Sequence, residues 1–245
     1  MAEVNLMRHY PRTTRRMQQP RALDPANRAA ALRFGAEYFD GSREQGYGGY
    51  RYDGRWIPVA RDIVAHFSLR PGDRVLDVGC AKGFLVKDLV GVCPGLRVWG
   101  IDISEYALTN CTPDAAGRLV RGSADGLPFR DDAFDVVICI NVIHNLDRAR
   151  CLAALREIER LAPKRGYVVV DAYRNDAERE IFLGWVLTAI TFLTPEAWVS
   201  LFQQAGYTGA YDWTILDPDP AWNDFAAGAR STGPDRPGND GEDEE

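Results

Sequence analysis

RVLDVGCAKGFL, residues 74–85, decides the fold of this chain. Val75, Leu76 and Val78 form a short apolar run suited to burial on both faces of a parallel sheet, so the strand they make is central. Gly79 and Gly83 then permit a tight turn and close approach of a ligand to the backbone. The helix expected over 84–90 aims its N-terminal amides into the same crevice. A second strand, 98–101, ends in Asp102, whose carboxylate can accept hydrogen bonds from the two hydroxyls of a ribose. A ribose-bearing ligand and an enzyme are therefore expected. The spacing is not that of the dinucleotide fingerprint Gly-x-Gly-x-x-Gly, which needs a glycine at position 82, where this chain has Lys82.

Outward from that stretch, further strands read at 119–120, 136–140 and 167–171, each separated by a helical segment, and that alternation implies a parallel sheet. A helix from Asp147 places Leu152, Leu155, Ile158 and Leu161 at near-helical spacing and supplies the crossover between the fourth and fifth strands. Another helix follows Asn175-Asp176 to about residue 190. Thr194-Pro195 starts the next one, Gly206 closes it, and a late strand covers 211–216. No strong candidate for a seventh strand follows Leu216. Toward the N-terminus, Asp24-Pro25 gives a cap and a first-turn proline, and Asp40-Gly41 ends a helix that would hold Phe34, Tyr38 and Phe39. A helix after Trp56 carries Val59, Ile63 and Phe67 on one face and turns His66 to solvent.

Between those helices lies GYGGYRYDGRW, residues 46–56. Its glycines allow a folded loop, and Tyr47, Tyr50, Tyr52 and Trp56 offer aromatic faces that can cover a cation or a flat substrate. Two readings stand side by side here: a lid over the site, and rings that pack the N-terminal helix onto the core. Arg51 and Arg55 are of a type that clamps a carboxylate or phosphate.

The chain has 245 residues, enough for one large domain with a proper core, and a net charge of −6. That charge argues against a broad nucleic-acid surface, which needs clustered cations to neutralise phosphates. Five scattered cysteines, without metal-type pairing and odd in number, read as reduced thiols in a cytoplasm, with neither zinc nor disulfides. No apolar run is long enough to span a bilayer, and the N-terminus lacks an apolar signal core. Residues 1–23, with Arg8, Arg12, Arg15, Arg16 and Arg21, read as a flexible basic arm. Residues 217–245, ending in GEDEE, read as a disordered acidic tail.

Asp77, Gly79, Ala81 and Gly83 resemble the first motif of the class I S-adenosylmethionine-dependent methyltransferases, an acidic residue followed by Gly-x-Gly-x-Gly, with Ala81 at the middle glycine. The resemblance continues through GSADGLPF (122–129) and DAFDVVI (132–138), which look like the family's adenine loop and fourth strand, and covers roughly residues 69–173. It implies an α/β fold, a Rossmann-like doubly wound and mostly parallel sheet with helices on both faces, here with an N-terminal helical cap. The divisions are then the arm (1–23), cap and Tyr-rich lid (24–68), S-adenosylmethionine-binding core (69–216) and tail (217–245).

By resemblance, Asp77 and Gly79 face the methionine part of the cofactor, with Cys80, Ala81 and Gly83 in the same loop, and Asp102 and Ile103 take the ribose side. Asp125 accepts from the adenine amino group, the Ala124 backbone meets the ring, and Asn141 lines the cofactor pocket. Past the fourth strand, His144 is the candidate base, with a loop-bridging histidine as the alternative. Tyr47, Tyr50, Tyr52, Tyr173 and Arg174 are candidates for the substrate. The expected activity is methyl transfer to an oxygen, nitrogen or carbon of a small metabolite, with specialised metabolism as the setting. The alternatives are a binder of S-adenosylmethionine that transfers nothing, and a modifier of protein or RNA. Assembly as a homodimer is left open.

Overall fold

The computed structural model describes residues 1–11 and 20–216. In chain order the strands are β1 (Ala2–Glu3), β2 (Arg74–Val78), β3 (Arg97–Asp102), β4 (Leu119–Arg121), β5 (Val136–Ile140), β6 (Gly166–Asp171) and β7 (Ala210–Thr214). The helices are α1 (Pro25–Ala31), α2 (Ala36–Phe39), α3 (Ile57–Phe67), α4 (Phe84–Val92), α5 (Glu105–Thr109), α6 (Arg148–Leu161), α7 (Asp176–Trp185) and α8 (Pro195–Ala205). The strands make one sheet in the order β1-β7-β6-β5-β2-β3-β4, and every neighbouring pair is parallel.

The period of two along each central strand divides the core. Val75 of β2, Val136 and Ile138 of β5, and Tyr167 and Val169 of β6 pack with Val59, Ile63 and Phe67 of α3 and Leu85, Val86 and Leu89 of α4. Their neighbours Leu76, Val78, Val137, Cys139, Val168 and Val170 pack on the other face with Leu155 and Ile158 of α6 and Trp198 and Phe202 of α8. Both faces are dry, which is why these strands read as continuous apolar runs. After β4 the chain returns to the opposite side of β2 to lay down β5, and the strand ends diverge at that switch to open a crevice.

Several expectations change in detail. The single helix foreseen over 24–40 is two, because Phe34 is left-handed (φ 48°) and Gly35 is extended. The Asp24 cap is as expected, its side chain accepting from the Ala26 amide. The helix foreseen to residue 190 ends at Trp185, where Val186 turns extended. The seventh strand comes from the N-terminus and not from beyond Leu216. Ala2–Glu3 pairs parallel with Ala210–Tyr211 on the sheet edge, so residues 1–11 are not the flexible arm expected. Leu6 is buried with its amide on the Tyr167 hydroxyl, and Arg8 and His9 both hold the buried carboxylate of Asp62. Arg12, Arg15 and Arg16, and the acidic residues 217–245, lie outside the described residues.

α1, α2 and residues 43–56 form an N-terminal segment, and residues from 32 onward line a cavity together with residues at the carboxyl ends of the strands. The segment's attachments are polar and distributed. The Ser104 hydroxyl donates to the Phe34 carbonyl (2.6 Å), Arg28 donates to the carbonyls of Val186 and Ala189, and Lys82 of the glycine turn grips Asp40 at 2.6 and 2.8 Å. Tyr106 of α5 adds its hydroxyl to the same carboxylate.

Candidate functional site

The cavity has a volume of about 930 Å³, within the range of small-ligand sites. Its floor is the glycine turn after β2. Gly79 has φ 76°, and a Cβ there would stand 2.1 Å from Val142 Cγ2. Only a bare backbone passes beside Val142, which fixes the course of the turn. Asp102 at the end of β3 accepts from the Ala81 amide (2.7 Å) and the Ser104 amide (2.8 Å). A carboxylate has about four acceptor positions, so these two bonds orient the group and leave it able to take ribose hydroxyls. Burial pushes Asp102 up despite those amides. Burial, with the Asp102 charge adding to it, pushes Asp77 up to about 7. A cation in the cavity would reverse that penalty. Glycine turn, ribose acceptor and buried carboxyl together fit an adenosyl cation.

Ala81 stands in the glycine conformation, φ 49°, which costs an L residue about 1–2 kcal/mol. Ala81→Gly is therefore expected to raise stability by about 1 kcal/mol after the extra chain entropy of glycine is counted. A thermal melt a few degrees higher, with cofactor affinity retained, is the result that checks it.

The structure brings many of the sequence candidates to this cavity and leaves others outside. Asp77, Gly79, Cys80, Ala81, Asp102, Ile103, Ala124, Asn141, His144, Tyr47 and Tyr50 all line it. Asn141 is left-handed (φ 57°) and its Oδ1 accepts from the Thr214 hydroxyl. Asp125, expected at the adenine amino group, does not line the cavity: its carboxylate is held by Arg150 (2.6 Å) and Ser123, which pull it down to about 2. Gly83 is a packing glycine, since a Cβ would meet Ala115 at 2.6 Å.

Three substrate candidates do not line the cavity. Tyr52 turns outward and donates to Asp88 of α4 (2.6 Å), which helps raise its phenol to about 12. Tyr173 packs on Phe192, and Arg174 pairs with Glu178 one helical turn on. Of the two readings of the Tyr-rich segment, the ring contacts are those of packing. Tyr50 stacks on Phe84 at 4.8 Å and Tyr47 on Phe39 at 5.9 Å, and both rings also line the cavity.

His144 requires a correction. The backbone N–H of Asp171 can only donate, and it points at His144 Nδ1 (3.0 Å), so Nδ1 carries the lone pair and Nε2 the proton. Nε2 lies 3.4 Å from Asp171 Oδ2. Neither nitrogen is then available to take a proton from a substrate, and burial lowers the imidazole further from its charged form. Its geometry is that of a group orienting Asp171, the loop-bridging alternative.

Sequence reading missed Asp171, Tyr38 and Thr188, all of which line the cavity. Asp171 carried a signal: it ends an apolar strand as Asp77 nearly does and as Asp102 does. Tyr38 and Thr188 carried none, because the chain fold alone brings α2 and the residues after α7 together.

The comparisons with known proteins agree with this geometry. A family model described as a methyltransferase domain matches residues 76–170. The demethylmenaquinone methyltransferase of Symbiobacterium thermophilum is 33% identical over 153 residues, 59% of this chain and 60% of that protein, so this chain spans less than two thirds of that relative. An uncharacterized methyltransferase of Synechocystis is 30% identical over 159 residues, 59% of this chain and 71% of the relative. Among solved structures, the methyltransferase in complex with the Trm112 methyltransferase activator of Haloferax volcanii superposes with a TM-score of 0.50 at 25% identity, covering 60% of this chain and 66% of that one. The chain belongs to the class I S-adenosylmethionine-dependent methyltransferases. Among the described residues no helix is long and apolar enough to cross a membrane.

Proposed function

We propose that this chain transfers the methyl group of S-adenosylmethionine to a small molecule enclosed with it in the cavity, in the cytoplasm. The observation that carries this reading is a single cavity that has both sets of candidate residues in its lining. Gly79 and Asp102, assigned here to the cofactor, and Asp171 and Thr188 line one cavity of about 930 Å³, a space suited to two small molecules. In this reading Asp102 takes the ribose hydroxyls, Asp77 and Gly79 the methionine part, and Ala124 the adenine. The cofactor supplies an electrophilic methyl on a sulfonium. The protein's share is alignment of the acceptor, which can contribute roughly 7–11 kcal/mol.

A second reading, a macromolecular acceptor, has support from a curated relative, the tRNA (carboxymethyluridine(34)-5-O)-methyltransferase of Arabidopsis thaliana, 28% identical over 147 residues. Calorimetric titration with S-adenosylmethionine and S-adenosylhomocysteine tests the cofactor half, and absence of binding overturns the proposal. Labelled S-adenosylmethionine incubated with separated small-molecule, RNA and protein fractions tests the acceptor half. Label in the small-molecule fraction alone is the expected outcome.

The Asp77 carboxyl sets a pH dependence. It holds its proton up to about pH 7, while a bound cation favours the carboxylate, so binding releases that proton. Affinity for S-adenosylmethionine is expected to be full above pH 7 and to fall by up to about tenfold per pH unit below it. Asp77→Asn should flatten the profile. Equal affinity of the wild type at pH 5.5 and pH 8 would refute the role.

A further inference from the structure

Lys82, the residue whose place in the turn excludes the dinucleotide spacing, does not line the cavity. Its backbone is fixed within the turn assigned to the cofactor. The amide before it, of Ala81, donates to Asp102 Oδ2 (2.7 Å), its own carbonyl accepts from the Thr112 amide (2.9 Å), and the Gly83 amide donates to the Cys80 carbonyl (2.8 Å). The side chain leaves the turn and is only 9% exposed. A buried ammonium needs a partner. It has one in the Asp40 carboxylate, whose two oxygens lie 2.6 and 2.8 Å from Nζ. Burial works to raise the Asp40 carboxyl, yet the bonds from Lys82 and Tyr106 hold it below the ordinary carboxylate range.

Asp40 follows α2 and belongs to a piece of chain that is bonded to itself. The Tyr50 amide donates to the Phe39 carbonyl (2.8 Å) and to Asp40 Oδ1 (3.2 Å), and the Tyr47 amide donates to the Tyr38 carbonyl (2.8 Å). Gly46 packs against that same carbonyl, where a Cβ would stand 1.8 Å from the oxygen. The rings of Tyr47 and Tyr50 lie 4.5 Å apart, and that of Phe39 is 5.8 Å from Tyr50. Tyr38, Phe39, Tyr47 and Tyr50 all line the cavity. One ion pair, Lys82 with Asp40, thus joins these rings to the turn.

We propose that Lys82 is a positioning residue of this methyltransferase: through Asp40 it holds the aromatic lining of the cavity to the turn that takes the cofactor, so that cofactor binding and the order of that lining are linked. This role rests on the assignment of residues 79–83 to the cofactor. Linkage is reciprocal, so the order that a bound cofactor lends to the rings returns as affinity for the cofactor. With a neutral side chain at position 82, Asp40 keeps the Tyr106 hydroxyl and the Tyr50 amide. The piece from Tyr38 to Tyr50 then stays folded but is no longer tied to the turn.

The test uses the full chain, with S-adenosylhomocysteine as the ligand in calorimetry and in limited trypsin digestion. Arg33 and Arg51 are exposed and flank the piece, so the cleavage rates after them report its order. In the wild type, saturating ligand should slow both cleavages by about fivefold or more. Lys82→Met should weaken ligand binding by about fivefold or more and reduce the protection to less than twofold. Lys82→Arg, whose guanidinium can span both Asp40 oxygens, should restore affinity and protection together, which a loss of general packing would not do. Asp40→Asn should reproduce the effects of Lys82→Met, and it carries the test by itself where Lys82→Met does not fold. The double variant Lys82→Met/Asp40→Asn should bind no more weakly than Lys82→Met, because the two groups act through each other. Full affinity and protection in both single variants, or additive losses in the double variant, overturns this proposal alone. A wild type that binds neither S-adenosylmethionine nor S-adenosylhomocysteine overturns the cofactor assignment of the turn and this proposal with it.

Discussion

Asp102→Ala is expected to weaken S-adenosylmethionine binding by about 100-fold or more, and S-adenosylhomocysteine binding equally. A hydrogen bond to a charged group contributes about 1.5–3 kcal/mol, and a ribose offers two hydroxyls to this carboxylate. Two such bonds, at about 3 kcal/mol or more together, correspond to a factor of 100 or greater. The equal loss for both ligands is the informative part, because they share the ribose and differ at sulfur. A loss confined to S-adenosylmethionine would place Asp102 near the sulfonium and refute the ribose assignment. Asp102 also orients the amides of Ala81 and Ser104, so Asp102→Asn serves as the milder companion: one amide oxygen remains to accept, and an intermediate loss is expected.

Gly79→Ala is expected to cost about 2–5 kcal/mol of stability. Two terms add. The residue sits at φ 76°, where an L side chain pays about 1–2 kcal/mol, and its Cβ would be 2.1 Å from Val142 Cγ2, an overpacking that costs about 1–3 kcal/mol. For a chain of this size the thermal midpoint should fall by roughly 5–20 °C. The double variant Gly79→Ala/Val142→Ala removes the colliding methyls while leaving the backbone penalty. It should regain the overpacking part of the stability, and no regain would show that the collision is not the cause.

Legibility followed the range of the forces involved. The run 74–85 predicted strand, turn and helix because each rests on neighbours in the chain: an apolar run, a glycine at positive φ, a free helix start. Asp102 was legible for the same reason, as a carboxylate at the end of an apolar strand. Tyr52, Tyr173 and Arg174 were misplaced because composition says that a tyrosine or arginine is near a site but not which way it turns. Asp88, Phe192 and Glu178, which capture them, are distant or ambiguous in sequence. His144 was found as a residue of the site and misjudged as a base, since its proton is placed by a backbone amide 27 residues on.

The amino-acid sequence by itself determined the all-important order of strands and helices, the parallel sheet and the cofactor loop, because local spacing and burial on two faces leave few alternatives. Tertiary structure alone decided the sheet edge and the part of the cavity around Asp171. Ala2–Glu3 fills the outer seat against β7. Asp171, His144, Tyr38 and Thr188 meet only when β5, β6, the cap and the loop after α7 have packed, for their contacts are set by the fold and not by their spacing in the chain.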